Sequence, residues 1–418
     1  MHDSILQKPA ELPRSRWARF AAVAGPGIVV MLADTDAGSI ITAAQSGAQW
    51  GYRLLLIQAV LIPILFIVQE LTVRLGIVTG QGHGRGIREH FGPVGAWISV
   101  STLLLACAGA LITELSGIAG VGMLVGIPGW ASMVLVVTGL VAMAYTGSYI
   151  TVERIALAVG LFELVFLVVA WQAQPDVAAM AHGALSIPFS DSKYLYLAAA
   201  NVGAVIMPWM VFYQQSAVVE KGLTVDDLPA ARWDTAIGAV VTQVIMGAVL
   251  VVTAATIGNA REGQSLETVQ QIAQAITPFV GQHAGTLMFA LGMIGASLVA
   301  TIVVTLTAVR TLGEILGFKH SLEHHPREAP WFYGVYTLAL GLGGIVVASG
   351  VDLVKLSVGV QVMNALLLPI VLGFLFMLAR RALPAPYRLT GAYAWVVGIT
   401  IVVTAGFGLC AGLWGTFA

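Results

Sequence analysis

A chain of 418 residues that is 58% hydrophobic and only 10% charged, with a mean hydropathy of +0.89, is composed for lipid. Soluble domains carry about 25% charged residues, so a water-soluble enzyme or binding module is excluded and length does not count domains. A net charge of −1 gives no footing for nucleic acid or any other polyanionic partner.

Lys8, Arg14, Arg16 and Arg19 precede the first apolar run as the basic region of a signal peptide would. No small-residue cleavage pattern follows and further spans do, so the segment reads as mature structure. Apolar segments long enough to cross about 30 Å of hydrocarbon fall at about 20–48, 52–79, 93–125, 129–149, 151–173 and 194–220. They continue at about 233–258, 283–316, 331–350, 352–380 and 390–416. The pattern predicts an all-α polytopic membrane protein with eleven transmembrane helices. With a cytoplasmic amino terminus, only Arg53, Lys193, Arg261 and Lys355 of the 20 Lys and Arg fall outside. That asymmetry predicts the amino terminus inside and Ala418 outside.

The first span is interrupted. Gly25-Pro26-Gly27 opens an apolar helix, yet Asp34, Asp36, Gly38 and Ser39 stand where lipid-facing residues should continue. An ionised carboxylate at mid-membrane costs about 2.5–3.5 kcal/mol on insertion scales, so it must face protein or a water-filled cavity. Asp34 to Ser39 therefore reads as a broken helix beside a cation site. Asp34 is either an added attraction for a divalent ion or a helix-end carboxylate capped by backbone amides. Glu114 in the third span and Glu163 in the fifth each belong either to a proton path or to a structural hydrogen-bond network. Gly80 to Gly86 lacks the lysine and the following Ser/Thr of a P-loop and joins two spans, which argues against nucleotide binding. Cys107 and Cys410 lie in apolar runs with no CxxC or Cys/His spacing and read as small buried hydrophobes.

Two outer segments are long, at about 174–193 and 259–282. In the second, apolar residues at 266, 269, 272, 273 and 276 suit an amphipathic helix lying on the protein or on the membrane surface. A second interruption comes in the sixth span, Asn201 to Ser216, where Pro208 removes a backbone bond and frees the carbonyls of Ala204 and Val205. Trp209 either narrows the inner path or packs in the core. Gln214 and Gln215, further along, either line an aqueous path or bond between helices. Broken helices at matching places in two halves point to a transporter site at the interface of an inverted repeat. The halves lie at about 20–173 and 194–380, within one transporter domain over 1–418 that has an extra span at about 390–416.

These motifs resemble the NRAMP divalent-metal transporters, which adopt the leucine-transporter fold. The resemblance is carried by Gly25-Pro26-Gly27, Gln45 to Tyr52, Arg74 to Gly80, Gly203 to Pro208, and Leu368-Pro369. It implies a 5+5 inverted repeat with broken helices 1 and 6. It also implies a metal site made of Asp36, the Ala204 carbonyl, the Met207 thioether and Gln361, which lies eight residues before Pro369 as the family's ligand glutamine does. Three positions depart from the family pattern. Ser39 replaces an asparagine at the metal site, Trp209 replaces a histidine, and Leu111 replaces one of two acids on the third span, where Glu114 matches the other. The eight histidines (2, 83, 90, 182, 283, 320, 324 and 325) all lie in tails, loops or span ends, so none is placed to relay a proton at mid-membrane.

The function implied is transport of a divalent cation, Mn²⁺ or Mg²⁺ first, across the inner or plasma membrane by alternating access, with weak or absent proton coupling. Oxygen donors suit Mg²⁺, Ca²⁺ and Mn²⁺, a thioether tilts toward softer metals, and the short reach of Ser39 leaves room for water on the ion. Two alternatives stand: a proton-coupled Fe²⁺/Mn²⁺ symporter, and an organic-substrate symporter on the same fold, whose substrate carboxylate Asp34 and Asp36 would repel. No His cluster, nucleophile–base pair or redox motif suggests an enzyme or a resident cofactor. The expected partners are divalent metal ions and the bilayer.

Overall fold

Lipid offers the backbone no hydrogen-bond partner, so each spanning segment must satisfy its own N–H and C=O groups. The computed structural model describes residues 23, 25–146, 154–155, 158–258, 263–279, 281–319 and 324–417, and among these the regular elements are all helical. The first crossing is split into α1 (Pro26–Asp34) and α2 (Ala37–Trp50). It is followed by α3 (Leu55–Thr79), α4 (His83–Leu124) and α5 (Gly129–Thr146). A 3-10 turn at Leu161–Leu164 leads into α6 (Val165–Gln172), and a short α7 (Val177–Ala184) follows. The second split crossing is α8 (Ser192–Val205) and α9 (Pro208–Glu220). Then come α10 (Leu228–Thr253), a short α11 (Val269–Ile276), α12 (Gln282–Leu316), α13 (Pro330–Ala348), α14 (Leu353–Arg381) and α15 (Gly391–Phe417).

Among the described residues, nine helices are long and apolar enough to cross a membrane, or ten if the pair spanning 158–172 and 177–184, bent by 109°, counts as one. Hydropathy predicts eleven. The two counts part at the first crossing, where α1 has only nine residues and α2 runs on with α3 as one apolar stretch, Ala37–Thr79. They part again at the fifth, where 147–153 and 156–157 lie outside the described residues. So do Lys8, Arg14, Arg16, Arg19 and Arg261 from the charge asymmetry, and His2 and His320.

The outer surface is apolar, as a bilayer solvent requires. Trp130, Trp171, Trp233, Trp331, Trp395 and Trp414 are exposed and lie close to helix ends, the placement of an interfacial aromatic belt. Cys107 is buried as expected. Cys410 is exposed on α15, because that helix packs on one side only and Cys410 falls on the other.

One buried acid away from the helix breaks is held in a charged cluster. Glu70 on α3 accepts from Arg74 Nε at 3.0 Å and from Arg232 Nε on α10 at 2.8 Å. The Tyr393 hydroxyl of α15 lies 3.4 Å from the same carboxylate, and the Arg74 guanidinium sits 5.4 Å from the Tyr393 ring. This cluster ties the last helix to α3 and α10.

The amphipathic helix expected over 261–276 begins at Val269, and its apolar face lies on protein: Leu266, Val269, Ile272 and Ala273 are at most 2% exposed. Gln45 near the end of α2 anchors the approach to it. Its side-chain oxygen accepts from the Leu266 N–H at 3.0 Å, and its amide nitrogen donates to the Leu266 carbonyl. Gln45→Ala leaves both backbone groups unpaired, at about 1–3 kcal/mol for a buried group. Amide exchange at Leu266 is then expected to speed up by about tenfold or more, read by hydrogen–deuterium exchange.

Candidate metal centre

The chain breaks helix twice, for different local reasons. At the end of α1, Thr35 leaves helical geometry (φ −79°, ψ 45°) and Asp36 is extended (φ −74°, ψ 173°). Asp36 then restarts the helix as the N-cap of α2, its Oδ1 accepting from the Ser39 N–H at 2.6 Å. In the other crossing, Pro208 is the first residue of α9 and forces the residue before it out of the helical region. Met207 is accordingly extended (φ −83°, ψ 139°), and Ile206 is also non-helical (φ −119°, ψ 76°).

The two breaks meet. The Ser39 hydroxyl donates to the freed Ala204 carbonyl at 3.0 Å, across 165 residues of sequence. Glu114 on α4 accepts from the Ala37 N–H at 3.0 Å, which brings its carboxylate to the start of α2. Gln361 on α14 completes the ring. Its backbone carbonyl lies so close to Gly203, and its side-chain nitrogen so close to Gly38, that a methyl group on either glycine would overlap it. Asp36, Ser39, Ala204, Gln361 and Glu114 thus converge, though they come from α2, α8, α14 and α4 and the break before α2. Met207 is fully buried at the same break, and the Trp209 indole N–H donates to its sulfur at 3.3 Å.

The arrangement leaves donors for a cation. Asp36 Oδ2, Glu114 Oε1 and both oxygens of Asp34 are buried with no hydrogen-bond partner, which is uncommon for polar atoms in a folded interior. Asn364, one turn along α14, donates to Gln361 Oε1 at 2.9 Å, while Gln361 Nε2 and Asn364 Oδ1 have no partner. Turning both amides by 180° keeps their mutual bond and aims the Gln361 oxygen at the break, the orientation a cation needs. No group of three or more His, Cys, Asp or Glu among the described residues could hold a metal alone. A metal here would need the mixed carboxylate, carbonyl, amide and thioether set, and the residues fit that set.

The other candidate residues are placed as follows. Asp34 accepts no backbone amide on either oxygen, so the capping role falls to Asp36. Trp209 is fully buried in the core, and it also engages Met207. Gln214 bonds between helices, donating to Thr235 of α10 at 2.9 Å and accepting from Thr72 of α3 at 3.1 Å. Gln215 ties α9 to the loop between α3 and α4, donating to the Gln81 carbonyl at 3.0 Å. His83 is at a span end as the sequence implied, yet it is buried, with Nδ1 2.7 Å from Gln215 Oε1 and its ring 4.6 Å from that of Phe212. Sequence reasoning placed His83 only as a span-end residue and passed over Asn364. The only signal for Asn364 was its i+3 spacing from Gln361.

The geometry has counterparts. The divalent metal cation transporter MntH of Ralstonia nicotianae is 29% identical, the alignment covering 94% of this chain and 91% of that protein. The MntH of Bradyrhizobium diazoefficiens is 26% identical over 93% of this chain and 88% of its own length. Among solved structures, a manganese transporter of Eremococcus coleocola superposes with a TM-score of 0.78 at 20% identity, covering 99% of this chain and 92% of that one. That likeness shows the fold, a leucine-transporter-like bundle with its first and sixth helices broken. A family model, natural resistance-associated macrophage protein-like, matches residues 27–412, and the chain belongs to that Nramp family.

Proposed function

We propose that this chain moves a divalent metal cation, Mn²⁺ or Mg²⁺, across the inner or plasma membrane by alternating access around Asp36. The observation that carries the reading is the Ser39–Ala204 contact, which joins two broken helices beside unpartnered carboxylate oxygens and the Met207 sulfur. The names of the relatives, divalent metal cation and manganese transporters, support it. Alternating access then moves one half, about 20–173, against the other, about 194–380, with the amino terminus cytoplasmic. Purified protein in liposomes is expected to take up Mn²⁺ or Mg²⁺ down a gradient. Vesicles that show no uptake of either ion would overturn the proposal.

The ligand set makes a further expectation about selectivity. A thioether discriminates among metals because it is soft, while the oxygens of the site serve hard ions equally well. Met207→Ala is expected to weaken Mn²⁺ binding by about tenfold and leave Mg²⁺ binding within about twofold, measured by titration calorimetry. Equal losses for the two ions would remove the sulfur from the coordination shell.

Coupling is the finer part of the proposal. With Trp209 and Leu111 at two relay positions, transport is expected to proceed with little or no metal-driven acidification of the vesicle lumen. Glu114 favours a second reading, proton-coupled symport, because its carboxylate reaches the break and keeps one oxygen unpartnered. A pH-sensitive dye trapped in the vesicles separates the two.

A further inference from the structure

We propose that the groove between α14 and α15 is a binding site for an anionic phospholipid, which lays an acyl chain in the groove and its phosphate on Arg380. The groove has a volume of about 880 Å³ and opens on the lipid-facing surface, where Val402 and Val403 are exposed. It exists because its two helices part along their length. At Gly408 and Gly412 of α15 they are close: a Cβ would stand 3.2 Å from the Ala365 carbonyl and 3.1 Å from Leu366 Cδ2, respectively. At Gly398 the nearest atom would be the tip of the Phe376 ring, at 3.4 Å, so a phenyl ring fills the gap that a backbone fills at Gly408. Gly373 of α14 and Gly406 of α15, both in the groove wall, have no neighbour within 4 Å of a Cβ.

Depth and lining suit a hydrocarbon chain. From Pro369 to Arg380, both in the groove wall, α14 rises about 16 Å at about 1.5 Å per residue. That is about half of a 30 Å hydrocarbon core, the depth of one leaflet. The walls between are apolar, with Phe376, Met377, Ile399 and Val402, and the exposed Trp395 stands where an interfacial aromatic belongs.

The charge at the mouth selects the headgroup. From Leu353 to Ala418 the sequence has no Asp or Glu, yet Arg380, Arg381 and Arg388 fall within nine residues. The Arg380 guanidinium lies 5.9 Å from the Phe376 ring and that of Arg381 5.2 Å from the Phe91 ring, and among the described residues neither makes an ion pair. Other arginines have acids: Arg74 and Arg232 share Glu70, and Arg310 pairs with Glu220. An arginine fork matches phosphate oxygens with two parallel N–H bonds, and basic pockets between membrane helices take acidic headgroups. A molecule with an anionic head and an acyl chain satisfies Arg380 and the groove together. A free anion leaves the groove open, and a zwitterionic lipid brings its own cation to the arginines.

The test is lipid retention. Full-length protein is delipidated in detergent and titrated with dioleoyl phosphatidylglycerol or dioleoyl phosphatidylcholine, and native mass spectrometry counts the lipids held. The wild type is expected to hold one phosphatidylglycerol with a preference of at least about tenfold over phosphatidylcholine, and Arg380→Ala to lose about fivefold of it, roughly what one arginine contributes at an anionic surface. Arg380→Lys keeps the charge without the fork and is expected to fall between the two. Gly373→Leu places a side chain in the open groove and replaces a poor helix former by a good one, so the fold is kept while retention of both lipids drops by about tenfold or more. Excess inorganic phosphate, which has the charge without the chains, is expected to displace no phosphatidylglycerol. Equal retention of the two lipids by the wild type, an unchanged preference in Arg380→Ala, or wild-type retention in Gly373→Leu overturns the site. Displacement by phosphate overturns it too, as does a dimer that Gly373→Leu dissociates, which would seat a second copy of the chain in the groove.

Discussion

Asp36→Ala is expected to abolish Mn²⁺ uptake into vesicles and to weaken Mn²⁺ binding by on the order of 100-fold. The residue has two roles, and their magnitudes differ. As the N-cap of α2, its Oδ1 holds the Ser39 N–H, a contact whose loss costs about 1 kcal/mol. As a buried anion with Oδ2 free, it would face the cation directly, and truncating one partner of a buried charge pair costs about 2–5 kcal/mol. At 1.4 kcal/mol per tenfold, about 2.8 kcal/mol, in the lower half of that range, gives the loss in affinity stated. Asp36→Asn separates the roles, because its amide oxygen can still accept from Ser39 while carrying no charge. It is expected to recover the thermal stability lost in the alanine variant and none of the transport. If Asp36→Asn transports at wild-type rates, Asp36 is only a cap and the metal centre lies elsewhere.

Both helix breaks were legible in the sequence because each violates a rule of the membrane interior. Acids inside an apolar run at Asp34 and Asp36, and a proline inside another at Pro208, have few structural explanations. Which acid caps the helix was not legible, since both stand near the break and only the backbone angles at Thr35 and Asp36 decide it. Gln361 came from the resemblance alone. A glutamine in an apolar helix has no chemical signature until Gly38 and Gly203 are seen to leave it no alternative space. The Trp209–Met207 contact was hidden for a related reason. Residues two apart do not face each other on a helix, and this pair meets only because Met207 is extended. Glu163 was visible as an intramembrane acid, but its complete burial depends on how the crossings pack, about which hydropathy is silent. The two span counts part at a matching point: a length test misses a crossing that the site itself has cut in two.

Gly203→Ala is expected to lower the stability of the fold by about 3 kcal/mol or more and to weaken metal binding with it. In lipid there is little hydrophobic force between helices, so close approach at small residues supplies much of their association. At Gly203 the approach is near its limit. A Cβ there would fall on the Gln361 carbonyl and within 2.7 Å of the Ala365 nitrogen, both of them backbone atoms of α14. A flexible side chain could swing aside, but a helix backbone can yield only by moving the helix. Overpacking in well-packed cores costs about 1–3 kcal/mol where side chains can adjust, and this clash offers no such adjustment. Separating α8 from α14 also draws Gln361 and Ala204 apart, so the ring around Asp36 opens. Gly408→Ala is the control, since a Cβ on that glycine of α15 would stand 3.2 Å from the Ala365 carbonyl, a tight contact that a small shift relieves. It is expected to cost less than about 1 kcal/mol. The measurement is thermal unfolding in detergent with and without Mn²⁺, where saturating ligand at 100 times its Kd adds about 2.7 kcal/mol to a competent site. Gly203→Ala is expected to lower the midpoint and to lose most of the Mn²⁺-dependent rise, while Gly408→Ala keeps the rise in full. A Gly203→Ala protein with the wild-type midpoint would show that the contact between α8 and α14 does not set the geometry of the metal centre.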